Sequence, residues 1–327
     1  LSRELDTSIP TTTKLVEELI EEGFLEDLGK LDTNGGRRPN IYGLKASAGY
    51  FIGTDVRRHH VSIAIADFRG DIVDYIDSIP FKVESSADSF RNLCSIIKDN
   101  IRKFGIKEEE VLAYGLKLSG RVNNDTGYCF TYFIGEDRPI ASLMEEELGG
   151  RVFVENDSRA MTYGEYICGV GKNEKDMLFI NVTWGLGMGM ILNGKLLYGK
   201  SGFSGEIGHF PMLNNDQICQ CGKRGCLETG ASGYAAHRIL MERLAEGRAS
   251  MLEDILMAIE EEDVLAIEVI EEIGGVLGRA IAGIINVFNP ELVVIGGKMA
   301  GAREYLMLPI KAAIQKHSLN IINKDTK

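Results

Sequence analysis

Three cysteines lie within eight residues of one another in the second half of the chain, and a histidine precedes them by ten residues. Thiolates and a neutral imidazole are the usual ligands of tetrahedral zinc. Glycines at positions 222 and 225 allow the backbone to fold back so that the thiols converge. The candidate ligands of a structural Zn²⁺ are His209, Cys219, Cys221 and Cys226. The alternatives are three buried thiols in a loop and, less favoured because three is an odd number, a disulfide.

Two carboxylates flank these metal ligands. Glu206 precedes His209 by three residues, and Glu228 follows Cys226 by two. A structural metal would fix the loop that carries all three polar groups. Carboxylates and an imidazole in fixed directions suit a ligand rich in hydroxyl groups. One ring nitrogen of His209 could bind the metal while the other contacts a hydroxyl group.

The pattern Gly-Glu-Ile-Gly-His at 205–209, followed by Cys-x-Cys-Gly-x-x-Gly-Cys-x-Glu at 219–228, resembles the zinc signature of the ROK family (repressors, open reading frames and sugar kinases). The glycine-rich run at 182–190 is similar to a second signature of that family. The resemblance extends over nearly the whole chain. It implies that His209 and the three cysteines bind zinc, and that Glu206, His209 and Glu228 contact a sugar.

Bulk properties fit a globular protein of two or three domains. The chain has 327 residues, 44% of them hydrophobic, and a net charge of −12. This charge argues against a broad surface for nucleic acid but leaves room for a small DNA-binding module. No apolar run has the length of a membrane span, and no leader resembles a signal peptide, so we expect a cytoplasmic protein. Leu1 in place of a methionine predicts that the first domain is truncated at its start.

Residues 1–45 predict a winged helix-turn-helix. Ser8 can cap a helix over residues 11–22, Pro10 suits its first turn, and short strands at 24–26 and 41–44 enclose a basic, glycine-rich tip. The start of the second helix of such a module contacts base edges, and a basic wing contacts phosphate or the minor groove. The candidate DNA contacts are Thr11, Thr12, Lys14, Arg37 and Arg38. The alternative is a solvated linker helix. The resemblance implies a DNA-binding module at this place, with Gly-Gly-Arg-Arg-Pro at 35–39 in its wing.

Residues 46–157 predict the first of two ribonuclease-H-like lobes in an α/β fold. Strands at 50–56, 61–67 and 72–76 precede an amphipathic helix at 86–104 and a strand at 111–118. Kinases of the resembled family have Asp-x-Gly-Gly-Thr after the first strand, where the backbone approaches nucleotide phosphates. This chain has Arg57 and Arg58 in place of both glycines, and their bulk argues against ATP binding and catalysis.

Asn156 and Asp157 match the family's Glu-Asn-Asp motif at the end of a strand at 152–157. The resemblance implies that Asp157 occupies the position of the kinases' general base, and that in repressors this carboxylate holds the sugar hydroxyl. The alternative is a cap for a helix over 158–170. Arg159 stands where the kinases usually have asparagine.

Residues 158–327 predict the second lobe. Strands are expected at 176–182 and 188–192, helices at 234–245, 251–260 and 263–288, and a buried strand at 290–297. Glycines at 185, 187 and 189 are most simply explained by a tight hairpin rather than by phosphate binding. Small residues in the last helix, among them Gly274, Gly275 and Gly278, predict close packing against a neighbour.

The sequence therefore predicts a ROK-type transcriptional regulator that binds operator DNA as a homodimer or a dimer of dimers. The resemblance implies a repressor released by a sugar or sugar derivative, with zinc in a structural role. The first alternative is a sugar kinase of the same family, which release of ADP from ATP and a hexose would reveal. The second is a scaffold that binds neither DNA nor sugar, which the retained polar residues disfavour.

Overall fold

The computed structural model describes residues 1–31, 39–133, 138–244 and 252–327. The chain divides into two compact units, residues 1–156 and 157–327. Each unit has its own sheet and its own apolar core. Among the described residues, the helices are all too short or too polar to cross a lipid bilayer.

The first unit contains, in chain order, α1 (Ile9–Glu21), β1 (Leu25–Lys30), β2 (Asn40–Leu44), β3 (Tyr50–Val56), β4 (His60–Asp67), β5 (Ile72–Pro80), α2 (Ala87–Phe104), β6 (Val111–Leu118), β7 (Val122–Asn123), β8 (Tyr128–Cys129), α3 (Ile140–Leu148) and β9 (Val152–Asn156). Its five-stranded sheet has the order β5-β4-β3-β6-β9, with β3, β6 and β9 parallel. Val56, Leu118 and Asn156 are paired in register, so the carboxyl ends of these strands lie at one edge of the sheet.

Helix α2 covers this sheet because one of its faces is apolar. Leu93 and Ile97 are buried with Ile52 of β3 and Ile63 of β4. The Ser86 hydroxyl accepts a hydrogen bond from the backbone N–H of Ser89 and caps the helix. The predicted strands and helix are confirmed to within a few residues. Helix α3 and the short ribbon of β7 and β8 were not predicted, because short elements give weak periodicity.

Helix α1 and the β1–β2 hairpin form the N-terminal part of the first unit. The Ser8 hydroxyl caps α1, as the sequence predicts, by accepting a hydrogen bond from the Thr11 N–H at 3.3 Å. The hairpin is attached to the β4–β5 turn through Arg69, whose Nε donates to the Leu44 carbonyl at 2.8 Å and whose guanidinium pairs with Glu26. The Phe24 and Phe68 rings also pack together, with centroids 5.7 Å apart.

The second unit contains, in chain order, α4 (Asp157–Cys168), β10 (Met177–Val182), β11 (Leu186–Leu192), β12 (Lys195–Leu196), α5 (Gly233–Arg243), α6 (Leu252–Glu260), α7 (Val264–Phe288), β13 (Leu292–Gly296), α8 (Glu304–His317) and α9 (Asn320–Asn323). Its sheet has the order β12-β11-β10-β13. Every residue of the central strand β10 is buried. Strand β13 was predicted to be buried but is half-buried throughout, because it forms an edge of the sheet.

The glycines of β11 allow helix α4 to lie directly against the sheet. A Cβ atom at Gly187 would clash with the Ser158 hydroxyl, and one at Gly189 would clash with the Thr162 hydroxyl. Both hydroxyl residues belong to α4 and are buried. The interpretation of this run as a hairpin is therefore incomplete, since two of its glycines are required by helix packing.

Helix α8, which was not predicted, packs along α7. A Cβ atom at Gly274 would lie 2.8 Å from the Leu306 carbonyl oxygen, and one at Gly278 would lie 2.6 Å from the Ile310 carbonyl oxygen. A Cβ atom at Gly275 would meet no described residue within 4 Å. Close packing was predicted for all three glycines, but only Gly274 and Gly278 face the neighbouring helix.

These two environments predict opposite effects of the same substitution. Gly278→Ala should destabilise the second unit by about 1–3 kcal/mol, because the added methyl group meets a backbone atom that cannot move alone. Gly275→Ala, three residues earlier in the same helix, should be neutral or stabilise by up to about 1 kcal/mol. Thermal unfolding midpoints of the two variants test this. Equal midpoints would contradict the packing of α7 on α8.

Candidate functional site

The loop between β12 and α5 brings together the four predicted metal ligands, His209, Cys219, Cys221 and Cys226. Isolated bridges between Pro211 and Cys226 and between Ile218 and Arg224 fold this loop back on itself. Gly222 and Gly225 have φ of +82° and +74°, in the left-handed region that favours glycine. The predicted reversal at these two glycines is confirmed.

The distances between the candidate ligand atoms fit tetrahedral coordination of a metal ion. The Cys219 Sγ and His209 Nδ1 atoms are 3.6 Å apart, as are the Sγ atoms of Cys221 and Cys226. All four ligand atoms lie within 4.8 Å of one another. Zn–S bonds of about 2.3 Å and Zn–N bonds of about 2.0–2.1 Å at tetrahedral angles place neighbouring ligand atoms roughly 3.5–3.8 Å apart. A disulfide requires about 2.05 Å between sulfur atoms, so the two thiols are not bonded.

The protonation of the thiols also matters for a metal. Burial raises the pKa of Cys219 to about 12, and burial likewise raises the pKa of Cys226. Both thiols therefore carry protons near neutral pH when no metal is bound. Zinc binds the thiolate form, so binding must release these protons. Hard cations such as Mg²⁺ prefer oxygen ligands, so a cluster of three sulfur atoms and one nitrogen atom favours zinc over them.

The flanking carboxylates lie beside this cluster. Glu206 Oε2 is 3.8 Å from His209 Nε2, too far for a direct hydrogen bond. The ring therefore presents Nδ1 to the thiols and Nε2 to the Glu206 carboxylate. On the other side, Glu228 Oε1 is 3.6 Å from Cys219 Sγ, and Glu228 Oε2 accepts a hydrogen bond from the Leu186 N–H at 3.1 Å. Glu206, His209 and Glu228 are thus brought together with the metal ligands.

Asp157 is the first residue of α4, and its Oδ1 accepts a hydrogen bond from the Ser158 N–H at 2.8 Å. The Ser158 hydroxyl accepts a hydrogen bond from Nδ2 of the buried Asn181, at 3.1 Å. Ser158 therefore ties α4 to β10 through Asn181 and packs against Gly187 of β11, next to Leu186, whose N–H bonds to Glu228. Asp157 is thus linked to the sheet of the second unit through Ser158, and Glu228 is linked to the same sheet through Leu186.

Asn156 ends β9 in the first unit and is buried. Its Nδ2 donates a hydrogen bond to the Gly120 carbonyl at 2.8 Å. Asn156 therefore supports the loop after β6, whereas Asp157 is half-buried at a helix N-terminus. The two neighbours in the sequence motif have different environments.

The loop after β3 contains an internal ion cluster. Oδ2 of Asp55 accepts from both Nε and Nη2 of Arg57 at 2.8 Å, and from Lys117 Nζ at 3.0 Å. Arg57 Nη1 is 3.3 Å from His60 Nε2, while Arg58 is exposed. The Asp55 carboxylate is thus occupied by two cations of the chain itself, and the Arg57 side chain lies across the loop.

Of the predicted DNA contacts, Thr11 and Lys14 are exposed on α1, and Lys14 forms an ion pair with Glu18 at 3.6 Å. Thr12 is only 8% exposed, and its hydroxyl bonds to the Thr7 hydroxyl and the Ser8 carbonyl. Thr12 therefore stabilises the start of α1, and its contact with DNA stays a prediction. Arg37 and Arg38 lie outside the described residues.

Comparison with known proteins agrees with these features. The family model described as ROK family matches residues 51–325. The chain belongs to the ROK family. It is 27% identical to a xylose repressor of Caldicellulosiruptor bescii over 97% of this chain and 83% of that protein. It is 32% identical to a glucokinase of Halalkalibacterium halodurans over 83% of this chain and 86% of that protein.

A solved structure of a ROK family transcriptional regulator, described as a homologue of the E. coli MLC protein, superposes with a TM-score of 0.83. The two sequences are 27% identical, and the superposition includes 100% of this chain and 85% of the regulator's chain. The mixed α/β fold is therefore that of ROK proteins. The resemblance identified from the motifs at 182–190 and 205–228 is confirmed.

Sequence reasoning missed the residues that support the site. Ser158 and Asn181 gave no signal, because a serine and an asparagine in regular elements are common. Arg159 differed visibly from the family pattern, but its burial could not be foreseen. It is 1% exposed in the structure.

The metal cluster predicts a stoichiometric zinc content. We expect one zinc per chain by elemental analysis of the purified protein, and Cys219→Ser should lose most of it, because the serine hydroxyl is a poor zinc ligand. Cys168→Ser, which changes an exposed cysteine at the end of α4, should keep the metal. Equal zinc contents in the two variants would exclude Cys219 as a ligand.

Proposed function

We propose that the protein is a sugar-responsive transcriptional regulator that binds operator DNA and is released by a sugar or sugar derivative. One observation carries this proposal. The xylose repressor matches 97% of the chain, which leaves 3% of 327, or about 10 residues, unmatched. The family model, in contrast, begins only at residue 51. The similarity to a repressor therefore includes most of the N-terminal helix and hairpin, in addition to the body that kinases share.

In this proposal the N-terminal 45 residues are a winged helix-turn-helix, and the sheets of the two units belong to ribonuclease-H-like lobes. The exposed start of α1, with Thr11 and Lys14, faces the bases, and Arg37 and Arg38 contact the DNA backbone or minor groove. Such a module acts on an inverted repeat when two copies are joined, so a homodimer or a dimer of dimers is expected. The regulators among the relatives are bacterial, which supports a cytoplasmic location for a protein of this function.

The sugar site that we propose comprises Asn156, Asp157, Glu206, His209 and Glu228, with a structural Zn²⁺ bound by His209, Cys219, Cys221 and Cys226. The 3.8 Å between Glu206 Oε2 and His209 Nε2 supports this assignment, because one hydroxyl group could contact both atoms. Zinc would hold the His209 ring in place through Nδ1. Asn156 would act mainly through the Gly120 loop.

The glucokinase relative keeps a sugar kinase as the alternative. The Asp55 cluster argues against it, because Arg57 and Lys117 already neutralise the carboxylate and the Arg57 side chain occupies a loop where phosphates need open backbone. With ATP, Mg²⁺ and a panel of hexoses, we expect no release of ADP above that of protein without sugar. Sugar-dependent ADP release would establish the kinase function instead.

The experiment that tests the regulator function is operator binding titrated with sugar. A sugar can release the protein from DNA only by binding the released state more tightly than the DNA-bound state. Asp157→Asn keeps the size and one acceptor of the side chain but removes its charge. Loss of one charge-assisted hydrogen bond of about 1.5–3 kcal/mol should raise the sugar concentration for half-release by on the order of tenfold or more.

The control is Asp325→Asn, an exposed aspartate near the end of the chain, which should leave the release curve unchanged. Both variants should bind the operator as the parent protein does without sugar. Identical release curves for Asp157→Asn and the parent would show that the sugar acts elsewhere. No preference for the protein's own promoter over random DNA would refute the regulator function.

A further inference from the structure

Arg159 is the most unusual buried residue of the second unit. It lies in the first turn of α4, two residues after Asp157, and is 1% exposed. Arginine is seldom fully buried, because removing a guanidinium from water is costly unless it is well bonded. A buried guanidinium at this position therefore needs strong polar or aromatic partners.

The contacts of Arg159 lead to the segment that follows β12. Its Nη1 donates a hydrogen bond to the Gly202 carbonyl at 2.6 Å, and the guanidinium carbon lies 5.8 Å from the centroid of the Tyr198 ring. Gly202 is buried and has φ of +78°, so the chain reverses where the guanidinium binds it. A charge-assisted hydrogen bond and a cation–π contact both act on the same loop.

This loop ends directly before Glu206. At its start the Leu197 N–H donates to the Met190 carbonyl at 2.8 Å, and at its end the Met188 N–H donates to the Gly205 carbonyl at 3.0 Å. Gly205 cannot carry a side chain, because a Cβ atom there would clash with the Met188 carbonyl oxygen. Both ends of the loop are therefore fixed on β11, and Arg159 fixes its middle.

We infer that Arg159 is a positioning residue that sets the placement of Glu206 and His209 relative to Asp157, and so determines sugar affinity. This inference rests on the proposed sugar site. Asp157 and Arg159 share one helical turn, and Glu206 follows the loop that Arg159 holds. Loss of the guanidinium frees the loop that leads to Glu206 and His209, while Asp157 stays in place on α4. Arg159 itself needs no contact with the sugar.

The test compares Arg159→Met, which keeps the length and apolar stem, with Arg159→Lys, which keeps the cation, in the full-length zinc-loaded protein. The matched control is Arg243→Met on α5, an arginine paired at the surface with Glu272. Binding of D-xylose, D-glucose and N-acetylglucosamine is measured by calorimetry. For whichever sugar binds the parent protein, Arg159→Met should weaken binding by on the order of tenfold or more, and Arg159→Lys by less. Arg243→Met should bind as the parent does.

Two readouts separate positioning from a general loss of structure. Zinc content should stay at the parent level in all variants, and amide hydrogen exchange should accelerate at residues 199–205 only in the Arg159 variants. In the double variant Arg159→Met with Asp157→Asn, the loss of sugar affinity should be smaller than the product of the two single losses. Both changes disrupt the same proposed sugar site, so their effects should not be independent.

Unchanged sugar binding by folded, zinc-loaded Arg159→Met would overturn the inference, and so would loss of zinc, since the effect would then pass through the metal loop. If Arg159→Met does not fold, parent-like sugar affinity of Arg159→Lys together with parent-like exchange at residues 199–205 overturns it. If the parent protein binds none of the three sugars, the proposed sugar site fails, and the inference fails with it. Binding by the parent but no weakening in the variants rejects the Arg159 inference alone.

Discussion

The second unit depends on the close approach of backbone to backbone around β11. Glycines on the strand leave space for the hydroxyls of Ser158 and Thr162, and Gly205 and Gly208 let the loop of candidate metal ligands lie against the carbonyl oxygens of Met188 and Leu186. A methyl group at any of these positions would separate the layers. Since α4 carries Asp157 and the loop carries Glu206 and His209, the packing of the sheet also sets the geometry of the proposed site.

The loop that carries the candidate metal ligands is held by a second set of constraints. The loop from residue 205 to residue 228 has little regular structure, and its conformation is defined by two isolated bridges, two short turns and four convergent ligand atoms. An ion bound by these four atoms would stabilise the conformation of this segment further. Glu228 joins the two constraints, because one of its oxygens bonds to β11 and the other lies beside Cys219.

In the first unit, the N-terminal hairpin and the β4–β5 turn are connected by Arg69 and by the Phe24–Phe68 contact. The position of the N-terminal helix is therefore coupled to the sheet that also carries the Asp55 cluster and the Gly120 loop. Relatives of the chain include a repressor and a glucokinase, so the family fold by itself does not decide between regulation and catalysis.

The sequence by itself determined the candidate metal ligands, the positions of the long strands and helices and the membership of the ROK family. These features depend on local spacing: cysteines five residues apart or closer, alternating apolar residues in β3 and β4, and a cap at Ser8. Only the tertiary structure decided that Thr12 is buried, that Gly275 faces open space while Gly278 meets α8, and that Arg159 is buried against the Gly202 carbonyl. Such facts depend on contacts between residues distant in the chain, and no local pattern specifies which side of a helix or which loop a given residue will meet.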